Sequence, residues 1–203
     1  MLKPKFLLLI FVPGAFSIIT CKKEPAMIPD YDGKTISMIL ADSILLEDNM
    51  KISLQGDSVS KIFYLVRHAE KDTSIRDNPP LTEAGLERAA KLADILRGTR
   101  IDAIYTTMTL RTMFTADSLA DIKAMKLLPY DNKTLKNVIS DIKENDEVNR
   151  ILMVGHQNTV PAIANTLSGK EVFTTIFDDS DYGNFIVVVL YKSGDTTVYK
   201  LRY

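Results

Sequence analysis

The stretch that decides the fold is KIFYLVRHAE, residues 61–70. Residues 62–66 form a short, continuous apolar run of aromatic and β-branched side chains, which is typical of a strand buried on both faces of a sheet. Polar residues follow at once, beginning with Arg67 and His68. Because ligands bind outside the carboxyl ends of strands in open α/β sheets, the run predicts a central strand with functional residues at its end.

A second stretch, NRILMVGHQN at residues 149–158, repeats this pattern. Residues 151–154 are apolar, and Gly155 and His156 follow them. The chain contains 2 histidines, and both of them stand at the end of a predicted strand. We therefore expect the two imidazoles to meet in one active site.

Helices and strands alternate beyond these two runs. Thr82 is a predicted N-cap, and apolar residues spaced three or four apart from Leu86 onward predict a helix that ends at Gly98. Similar patterns predict strands at 101–105 and 127–130, helices at 110–120, 135–144 and 160–167, and a C-terminal hairpin of 184–191 and 196–201. The alternation predicts the α/β class: a three-layer α/β/α sandwich whose mostly parallel sheet has an antiparallel C-terminal edge.

Composition limits the classes of function. A chain of 203 residues, 46% of them hydrophobic, can bury one substantial core. A formal net charge of −1 without a basic stripe gives no support for a nucleic-acid partner. Two histidines without clustered cysteines or an HxxxH spacing are a poor ligand set, so neither a metal nor another cofactor is expected.

Two segments lie outside the alternation of core elements. Residues 35–60 are too apolar for a linker, and we expect an extra element on the edge of the domain, with a hairpin at 51–58 that leads into the first core strand. Residues 178–181, DDSD, are predicted to be a solvated turn before the last hairpin, with a cation-binding loop as the alternative.

The N-terminus resembles an export signal. Two lysines precede an apolar stretch at 6–19 that is shorter than a membrane span. Cys21, the single cysteine, follows as in the bacterial lipoprotein signal, whose cysteine is lipidated and becomes the mature N-terminus. This resemblance implies a signal peptide at 1–20, a membrane anchor on Cys21, a linker at 22–34 and a domain at 35–203. It implies location in the bacterial cell envelope, facing the periplasm or the exterior. An ordinary cleaved signal and an uncleaved anchor are the alternatives.

Four segments resemble, in order, motifs of the histidine phosphatase (phosphoglycerate mutase-like) superfamily. They are RHAE at 67–70, with Ala in place of the Gly of the family's RHG signature, LTEAG at 81–85, TMTLRTMFTA at 107–116 and VGHQNTVP at 154–161. The resemblance implies a small branch-1-type member with a phosphoglycerate mutase-like fold.

The resemblance also implies a catalytic core of Arg67, His68, Arg111 and His156. Phosphoryl transfer depends on a positioned nucleophile and on cations held against the phosphate oxygens. We expect His68 to form a phosphohistidine that water hydrolyses, while the two arginines clamp the phosphate and a protonated His156 adds a third cationic contact.

Further substrate contacts are expected from Thr107, at a predicted strand-to-helix junction, and from Asn158, which could instead cap the following helix. The proton donor for the leaving group is open. Asp131 lies about where many family members carry an acidic residue. Glu70, which could instead orient Arg67 or His68, is the alternate, and a site without a dedicated acid is the third alternative. Gln157 stands where the acid-phosphatase branch has an aspartate, which disfavours that branch.

The predicted activity is hydrolysis of a small phosphate monoester through phospho-His68. A phosphohistidine phosphatase or a phosphoglycerate mutase-like phosphotransferase is the alternative enzyme, although an export signal argues against cytoplasmic substrates. From another class, a non-catalytic lipoprotein that binds a phosphorylated ligand is the alternative. Substrate identity and oligomeric state do not follow from the sequence.

Overall fold

The structure is a computed structural model that describes residues 31–203 with the exception of residue 57. The predicted signal peptide, Cys21 and most of the predicted linker lie outside the described residues. Residues 31–34, at the end of that linker, pack on the domain: the amide of Gly33 donates to the carbonyl of Lys200 at 2.9 Å, and the ring of Tyr31 lies 6.1 Å from that of Tyr199. Among the residues described, no helix has the length and apolar character that a membrane span requires.

Strands and helices follow one another in the described chain with these bounds: β1 Ile36–Leu40, β2 Ser43–Leu46, β3 Lys51–Ser53, β4 Val59–Arg67, α1 Glu83–Leu96, β5 Ala103–Thr106, α2 Leu110–Lys123, β6 Leu127–Pro129, α3 Leu135–Glu144, β7 Arg150–Gly155, α4 Thr159–Ser168, β8 Asn184–Tyr191 and β9 Thr196–Arg202.

The main sheet has 6 strands in the order β6-β5-β7-β4-β8-β9. The strands β6, β5, β7 and β4 pair in parallel, whereas β8 runs antiparallel to β4, and β9 runs antiparallel to β8. This arrangement confirms the predicted mostly parallel sheet with an antiparallel C-terminal edge. The strand that carries Arg67 therefore lies inside the sheet, and it is buried from Lys61 to Arg67.

Helices cover both faces of this sheet, which confirms the three-layer sandwich. Tyr64 and Val66 of β4 pack into a core with residues of α1 and α2, whereas Phe63 and Leu65 pack into a second core with residues of α3 and α4. The alternation follows from the two-residue period of a strand, because successive side chains point to opposite faces. A strand buried on both sides must be apolar throughout, as the run at 62–66 is.

Within the segment 35–60, the strands β1, β2 and β3 form a separate antiparallel sheet that packs on the α1 side of the main sheet, and the last residues already belong to β4. The fully buried Ile39 and Ile44 belong to the same core as α1. An extra element was expected here, but its hairpins join β1 to β2 and β2 to β3 instead of lying at 51–58. Its apolar residues show no clean period because two exposed residues separate the buried Ile36 and Ile39 of β1, where the pairing register shifts.

The buried face of α1 agrees with the predicted apolar face at Ala89, Ala93 and Leu96. It differs at Leu86, which was expected in the core and is 53% exposed, whereas Ile95 is buried. The reason is the close approach of Gly85, where an added Cβ would lie 2.3 Å from the carbonyl oxygen of Glu70. This contact turns the Gly85 side of the helix toward the domain, and the next residue consequently points to solvent.

Candidate active site

Strand register brings the two histidines together. In the parallel pair of β4 and β7, Arg67 lies opposite Gly155, so the next residue of each strand, His68 and His156, emerges at the same edge. Their ring centroids are 5.4 Å apart, with an interplanar angle of 68°. The amide of His68 donates to the carbonyl of Gly155 at 2.9 Å, which extends the pairing to the nucleophile candidate.

Gly155 is required by close packing at this edge. An added Cβ would lie 2.5 Å from Oγ1 of Thr159 and 2.7 Å from the hydroxyl of Tyr130. Oγ1 of Thr159 accepts a hydrogen bond of 2.7 Å from the amide of His156, and the Tyr130 hydroxyl donates to the carbonyl of Val154 at 3.1 Å. A larger residue at position 155 would displace the groups that hold His156.

His68 is 2% exposed and is oriented by its own backbone neighbour. Its Nδ1 lies 2.8 Å from the carbonyl oxygen of Ala69, and since a carbonyl only accepts, Nδ1 carries the hydrogen. Burial, opposed only in part by that hydrogen bond, lowers the pKa of His68 to about 3. The imidazole is therefore neutral at pH 7, with the lone pair of Nε2 available for attack on phosphorus.

The backbone after His68 is fixed by α2. The amide of Ala69 donates to Oγ1 of Thr115 at 2.9 Å, and the same hydroxyl donates to the carbonyl of Arg111 at 2.7 Å. Thr115 thus links the nucleophile loop to the turn of helix that carries Arg111. Sequence reasoning missed this role, although Thr115 belongs to the quoted segment at 107–116.

Arg67 is completely buried, and residues 178–182 surround part of its guanidinium. Nη2 forms an ion pair of 2.8 Å with Asp179, and the Cζ atom lies 4.2 Å from the ring centroid of Tyr182. The segment at 178–181 is a largely exposed turn before the last hairpin, as predicted, and it also binds Arg67. Nε of Arg67 is buried and has no hydrogen-bond partner among the described residues.

Arg111 lies in the first turn of α2, and its Nε is likewise buried without a partner in the described part of the chain. Burial and the nearby charge of Arg67 lower the pKa of Arg111. A buried guanidinium N–H that lacks an acceptor is costly. An anion with several acceptor oxygens would satisfy the Nε–H groups of both Arg67 and Arg111.

His156 is half-buried and is held at both ends. Its amide donates to Thr159, and its Nε2 lies 2.9 Å from Oγ1 of Thr107. Burial, followed by the charges of Arg111, Arg67 and Lys71, lowers the pKa of His156 to about 4. In the absence of an anion His156 is consequently neutral, so the predicted protonated form requires bound phosphate.

Thr107 serves mainly to position His156. Its Oγ1 lies 3.0 Å from Oγ1 of Thr112, whose hydroxyl also donates to the carbonyl of Thr107 at 2.7 Å. Asn158 occupies the N-cap position of α4, but it is exposed and its side chain makes no capping hydrogen bond. The structure thus offers no capping role for Asn158, and its expected contact with the substrate stays a prediction.

Asp131, the first candidate for the proton donor, is engaged at the start of α3. Its Oδ1 accepts hydrogen bonds from the amides of Lys133 and Thr134, both at 2.8 Å, and from the hydroxyl of Thr134 at 3.0 Å. These bonds lower the pKa of Asp131, whereas a general acid needs a raised pKa. The structure therefore argues against Asp131 as the acid. The sequence already indicated this engagement of Asp131, since an Asp shortly before a helix commonly accepts hydrogen bonds from backbone amides of the following turn.

Glu70, the alternate donor, is paired with Arg88 of α1. Nη2 of Arg88 donates to Oε1 at 2.7 Å, and Nε donates to Oε2 at 2.9 Å. This hydrogen-bonded pair raises the pKa of Arg88. Because both oxygens of Glu70 accept from a guanidinium, neither is placed to hold a proton for a leaving group. Glu70 also does not contact Arg67 or His68 through any hydrogen bond found in the described residues.

Other residues of the site were not predicted. Asn78, in the loop after His68, accepts at Oδ1 a 2.9 Å hydrogen bond from the amide of Leu110 and so caps α2. Tyr182 lies with its ring centroid 5.9 Å from that of His68. Within the described chain, no cluster of three or more His, Cys, Asp or Glu side chains is arranged to hold a metal ion.

The family model of the histidine phosphatase superfamily (branch 1) matches residues 63–131, from the strand of Arg67 and His68 through the helix of Arg111. Over these residues, which include Arg67, His68 and Arg111, the chain is similar to the histidine phosphatase superfamily. A comparison with the curated proteins finds no significant match.

Three solved phosphatase structures share this fold at low sequence identity. The alpha-ribazole phosphatase from Shigella flexneri superposes with a TM-score of 0.57 at 15% identity, covering 70% of this chain and 96% of its own. The protein histidine phosphatase SixA complexed with tungstate gives a TM-score of 0.54 at 19% identity, with 70% and 96% covered. The phosphoserine phosphatase from Entamoeba histolytica, in complex with 3-phosphoglyceric acid, gives a TM-score of 0.55 at 16% identity, covering 70% of this chain and 97% of its own. At these identities the similarity establishes the shared fold.

Proposed function

We propose that this protein is a phosphatase that hydrolyses a small phosphate monoester through a phosphohistidine on His68. One observation carries the proposal: a neutral, oriented imidazole stands in a site where the Nε atoms of Arg67 and Arg111 are buried and have no hydrogen-bond partner among the described residues. A phosphoryl group supplies both an electrophile for the imidazole and acceptor oxygens for the guanidinium groups.

The reaction then takes two displacements. In the first, the lone pair of Nε2 of His68 forms a bond to phosphorus while the bond to the leaving oxygen breaks, and the leaving alkoxide takes a proton from solvent. In the second, water attacks phosphorus, the bond between phosphorus and Nε2 breaks with its electrons returning to the imidazole, and the water gives up a proton. Throughout, Nδ1–H of His68 donates to Ala69, which keeps the ring aimed and stabilises the charge of the phosphorylated imidazole.

The cations act on the transferring group. Nε–H of Arg67 and of Arg111 would donate to its equatorial oxygens, where charge accumulates in the transition state. A bound phosphate dianion would raise the pKa of His156 above the value of about 4 that burial and the arginines set in the free site. His156 would then provide the third cationic contact, in the orientation that Thr107 fixes.

A second candidate is a phosphatase for substrates with good leaving groups, such as phosphohistidine. The observation that favours it is the engagement of both candidate acids, Asp131 at the start of α3 and Glu70 with Arg88. A leaving group that departs without a proton removes the need for such an acid. The neighbour SixA is described as a protein histidine phosphatase. The predicted export signal and the lipid anchor on Cys21 would place either activity in the cell envelope, which favours a small external phosphate ester.

The test is release of phosphate from a panel of alkyl phosphates, aryl phosphates and phosphohistidine, with trapping of the phosphoenzyme. We expect turnover of at least one class and an acid-labile, base-stable phosphoenzyme. His68→Ala should abolish both, with a loss of about 10⁴-fold or more. An exposed ion pair at the far end of α1, between Asp94 and Arg97, provides the control variant Asp94→Ala, which should retain activity.

Full activity in His68→Ala would eliminate His68 as the nucleophile. Tight binding of inorganic phosphate without turnover of any substrate would instead support the non-catalytic binding protein. Preference for phosphohistidine over alkyl phosphates would select the second candidate.

A further inference from the structure

Residues 178–182, between α4 and β8, form a clasp around the guanidinium of Arg67. The carbonyl oxygens of Asp178 and Asp181 accept hydrogen bonds from Nη1 at 2.8 and 3.2 Å, and Oδ1 of Asp179 accepts one from Nη2 at 2.8 Å. Tyr182 covers a face of the group, with Cζ of Arg67 4.2 Å above its ring centroid. Three different kinds of contact from one segment therefore fix this side chain.

A count of donors shows what the clasp leaves free. A guanidinium has five N–H groups, and the clasp accepts from three of them, two on Nη1 and one on Nη2. The two that remain are Nε–H, which is buried without a partner in the described residues, and one Nη2–H. Nε and Nη2 are neighbours on the guanidinium and form the fork that binds two oxygens of a phosphate.

The clasp is itself held in place. The carboxylate of Asp178 accepts from the amide and the hydroxyl of Ser180, at 2.8 and 2.5 Å. Asp181 accepts two hydrogen bonds of 2.7 Å from Arg202 of β9. The segment is thus shaped by its own turn and tied to the sheet, so Arg67 binds to a preformed cage.

The clasp also reaches the nucleophile. The ring of Tyr182 lies 5.9 Å from the imidazole of His68, while its face covers Arg67. Asp179 differs from Arg67 in exposure, since its side chain is 68% exposed and that of Arg67 is 0% exposed. Removal of the Asp179 side chain therefore leaves no cavity in the core, and it removes one acceptor from a buried cation.

We propose that Asp179 and Tyr182 are positioning residues that fix Arg67 so that its Nε and Nη2 face the phosphate of the substrate. The proposal rests on the function proposed above, because it takes the phosphate site at His68 as the place where Arg67 acts. Asp179 acts through its oxygen, as an acceptor, and Tyr182 acts through its ring face; neither side chain touches the reacting atoms. The carboxylate also offsets part of the charge of Arg67, which, after burial, contributes to the lowered pKa of Arg111.

Two matched pairs of variants separate these roles. Tyr182→Phe keeps the ring face and should bind inorganic phosphate within about twofold of the unaltered protein, whereas Tyr182→Leu loses the cation–π contact and should bind about tenfold more weakly. Asp179→Asn keeps an acceptor and should stay within about threefold, whereas Asp179→Ala should lose about tenfold. Asp94→Ala, which removes an exposed partner of Arg97, is the control.

The measurements are the dissociation constant of inorganic phosphate by calorimetry, KM and kcat for an aryl phosphate, and the midpoint of thermal unfolding. The expected pattern is weaker phosphate binding and raised KM in Tyr182→Leu and Asp179→Ala, with recovery in the conservative partner of each. Unchanged phosphate binding in both disruptive variants would overturn the proposal. Equal losses in Tyr182→Phe and Tyr182→Leu would assign the effect to the hydroxyl and overturn the role of the ring.

If the Tyr182 variants fail to fold, the pair of Asp179 variants still tests the clasp, because Asp179 is exposed. It is also separable from the proposed function. If the protein binds phosphate but turns over no substrate, the phosphatase proposal fails, and the dissociation constants still decide whether the clasp positions Arg67.

Discussion

Two regions of the site differ in how far the folded chain completes them. In the first, four side chains converge: Arg67 and His68 at the end of β4, His156 at the end of β7 and Arg111 in the first turn of α2. Arg67, His68 and His156 are each oriented by a hydrogen-bonded partner. In the second, the two carboxylates predicted as proton donors are engaged elsewhere, Asp131 with amides of the turn before α3 and Glu70 with Arg88. The proposed nucleophile and phosphate clamp are therefore built before substrate arrives, whereas neither candidate proton donor is.

This difference has a chemical meaning. Phosphoryl transfer is catalysed mainly by position and by charges on the equatorial oxygens, and the first region supplies both. A proton donor matters only when the leaving group is poor. We call the first region, with Arg67, His68, Arg111 and His156, the cationic region. The comparison predicts that catalytic activity is strongly sensitive to changes in the cationic region and weakly sensitive to changes in the carboxylates.

The largest effect is expected at Arg111, whose Nε is buried and has no hydrogen-bond partner in the described part of the chain. Arg111→Ala should lower kcat/KM by about 10²- to 10³-fold, the usual cost of removing one preorganised donor from a transition state. Arg111→Lys should recover only part of this, since an ammonium keeps the charge but cannot form a planar fork. The measurement is steady-state hydrolysis of an aryl phosphate. A loss below about threefold in Arg111→Ala would show that the cationic region is not the source of catalysis.

The same comparison shows which parts of the site the sequence predicts. Apolar runs at 62–66 and 151–154 place both histidines at strand ends, because a run buried on both faces must end where polar groups can meet solvent or ligand. Arg111 follows from a segment whose spacing matches a family. These features are local in sequence, and the fold preserves them.

The partners of those residues do not follow from local patterns. Arg67 binds Asp179, which is 112 positions further along the chain, and no periodicity connects the two. A segment with the composition of DDSD is most often solvated, so its binding to a buried arginine becomes visible only in the folded structure. The prediction of Asp131 as the proton donor rests on its position in a loop. The same residue precedes a helix, where an Asp commonly accepts hydrogen bonds from nearby backbone amides, as Asp131 does from Thr134.

The second prediction concerns pH and the two neutral histidines. Burial lowers their pKa values to about 3 for His68 and about 4 for His156, against 6.5 in the unfolded chain. Below pH 6.5 the unfolded chain therefore binds protons that the folded chain excludes, so stability falls as the pH falls from 6.5 toward 4. The slope is at most about 1.4 kcal/mol per pH unit for each histidine.

Urea unfolding between pH 7 and pH 5 measures this slope, in which range most carboxylates stay ionised. A variant with both His68→Gln and His156→Gln should show a shallower dependence. Identical slopes in the two proteins would mean that the histidines take up protons in the folded state, and the neutral nucleophile would then have to be abandoned. Added inorganic phosphate should raise the apparent pKa of His156, which histidine NMR signals report.

A smaller effect is expected at Thr107, which touches His156 and lies within the cationic region. Thr107→Val keeps the shape but removes the hydroxyl, and kcat/KM should fall about tenfold, the cost of one lost hydrogen bond to a catalytic group. Thr107→Ser should stay within about twofold. If Val and Ser variants behave alike, the hydroxyl does not position His156, and the contact at 2.9 Å is incidental.

The smallest effect is expected from the carboxylates, and it sharpens the comparison most directly. Asp131→Asn keeps an oxygen that accepts from the amides of Lys133 and Thr134 before α3, so activity should change by less than about threefold. The change should be the same for alkyl and aryl phosphates, because an acid would be needed only by the poor alkoxide leaving group. Glu70→Gln should act likewise, apart from the stability lost with the Arg88 pair, about 1 kcal/mol or less at this partial exposure.

A selective loss on alkyl phosphates would identify whichever residue was changed as the proton donor, and the second region would then have to rearrange when substrate binds. Equal, small losses of activity on both substrate classes would mean that the leaving group departs with solvent assistance alone. In that case the preference of the enzyme among substrates is set by leaving-group ability, because the cationic region binds the phosphoryl group that all of them share.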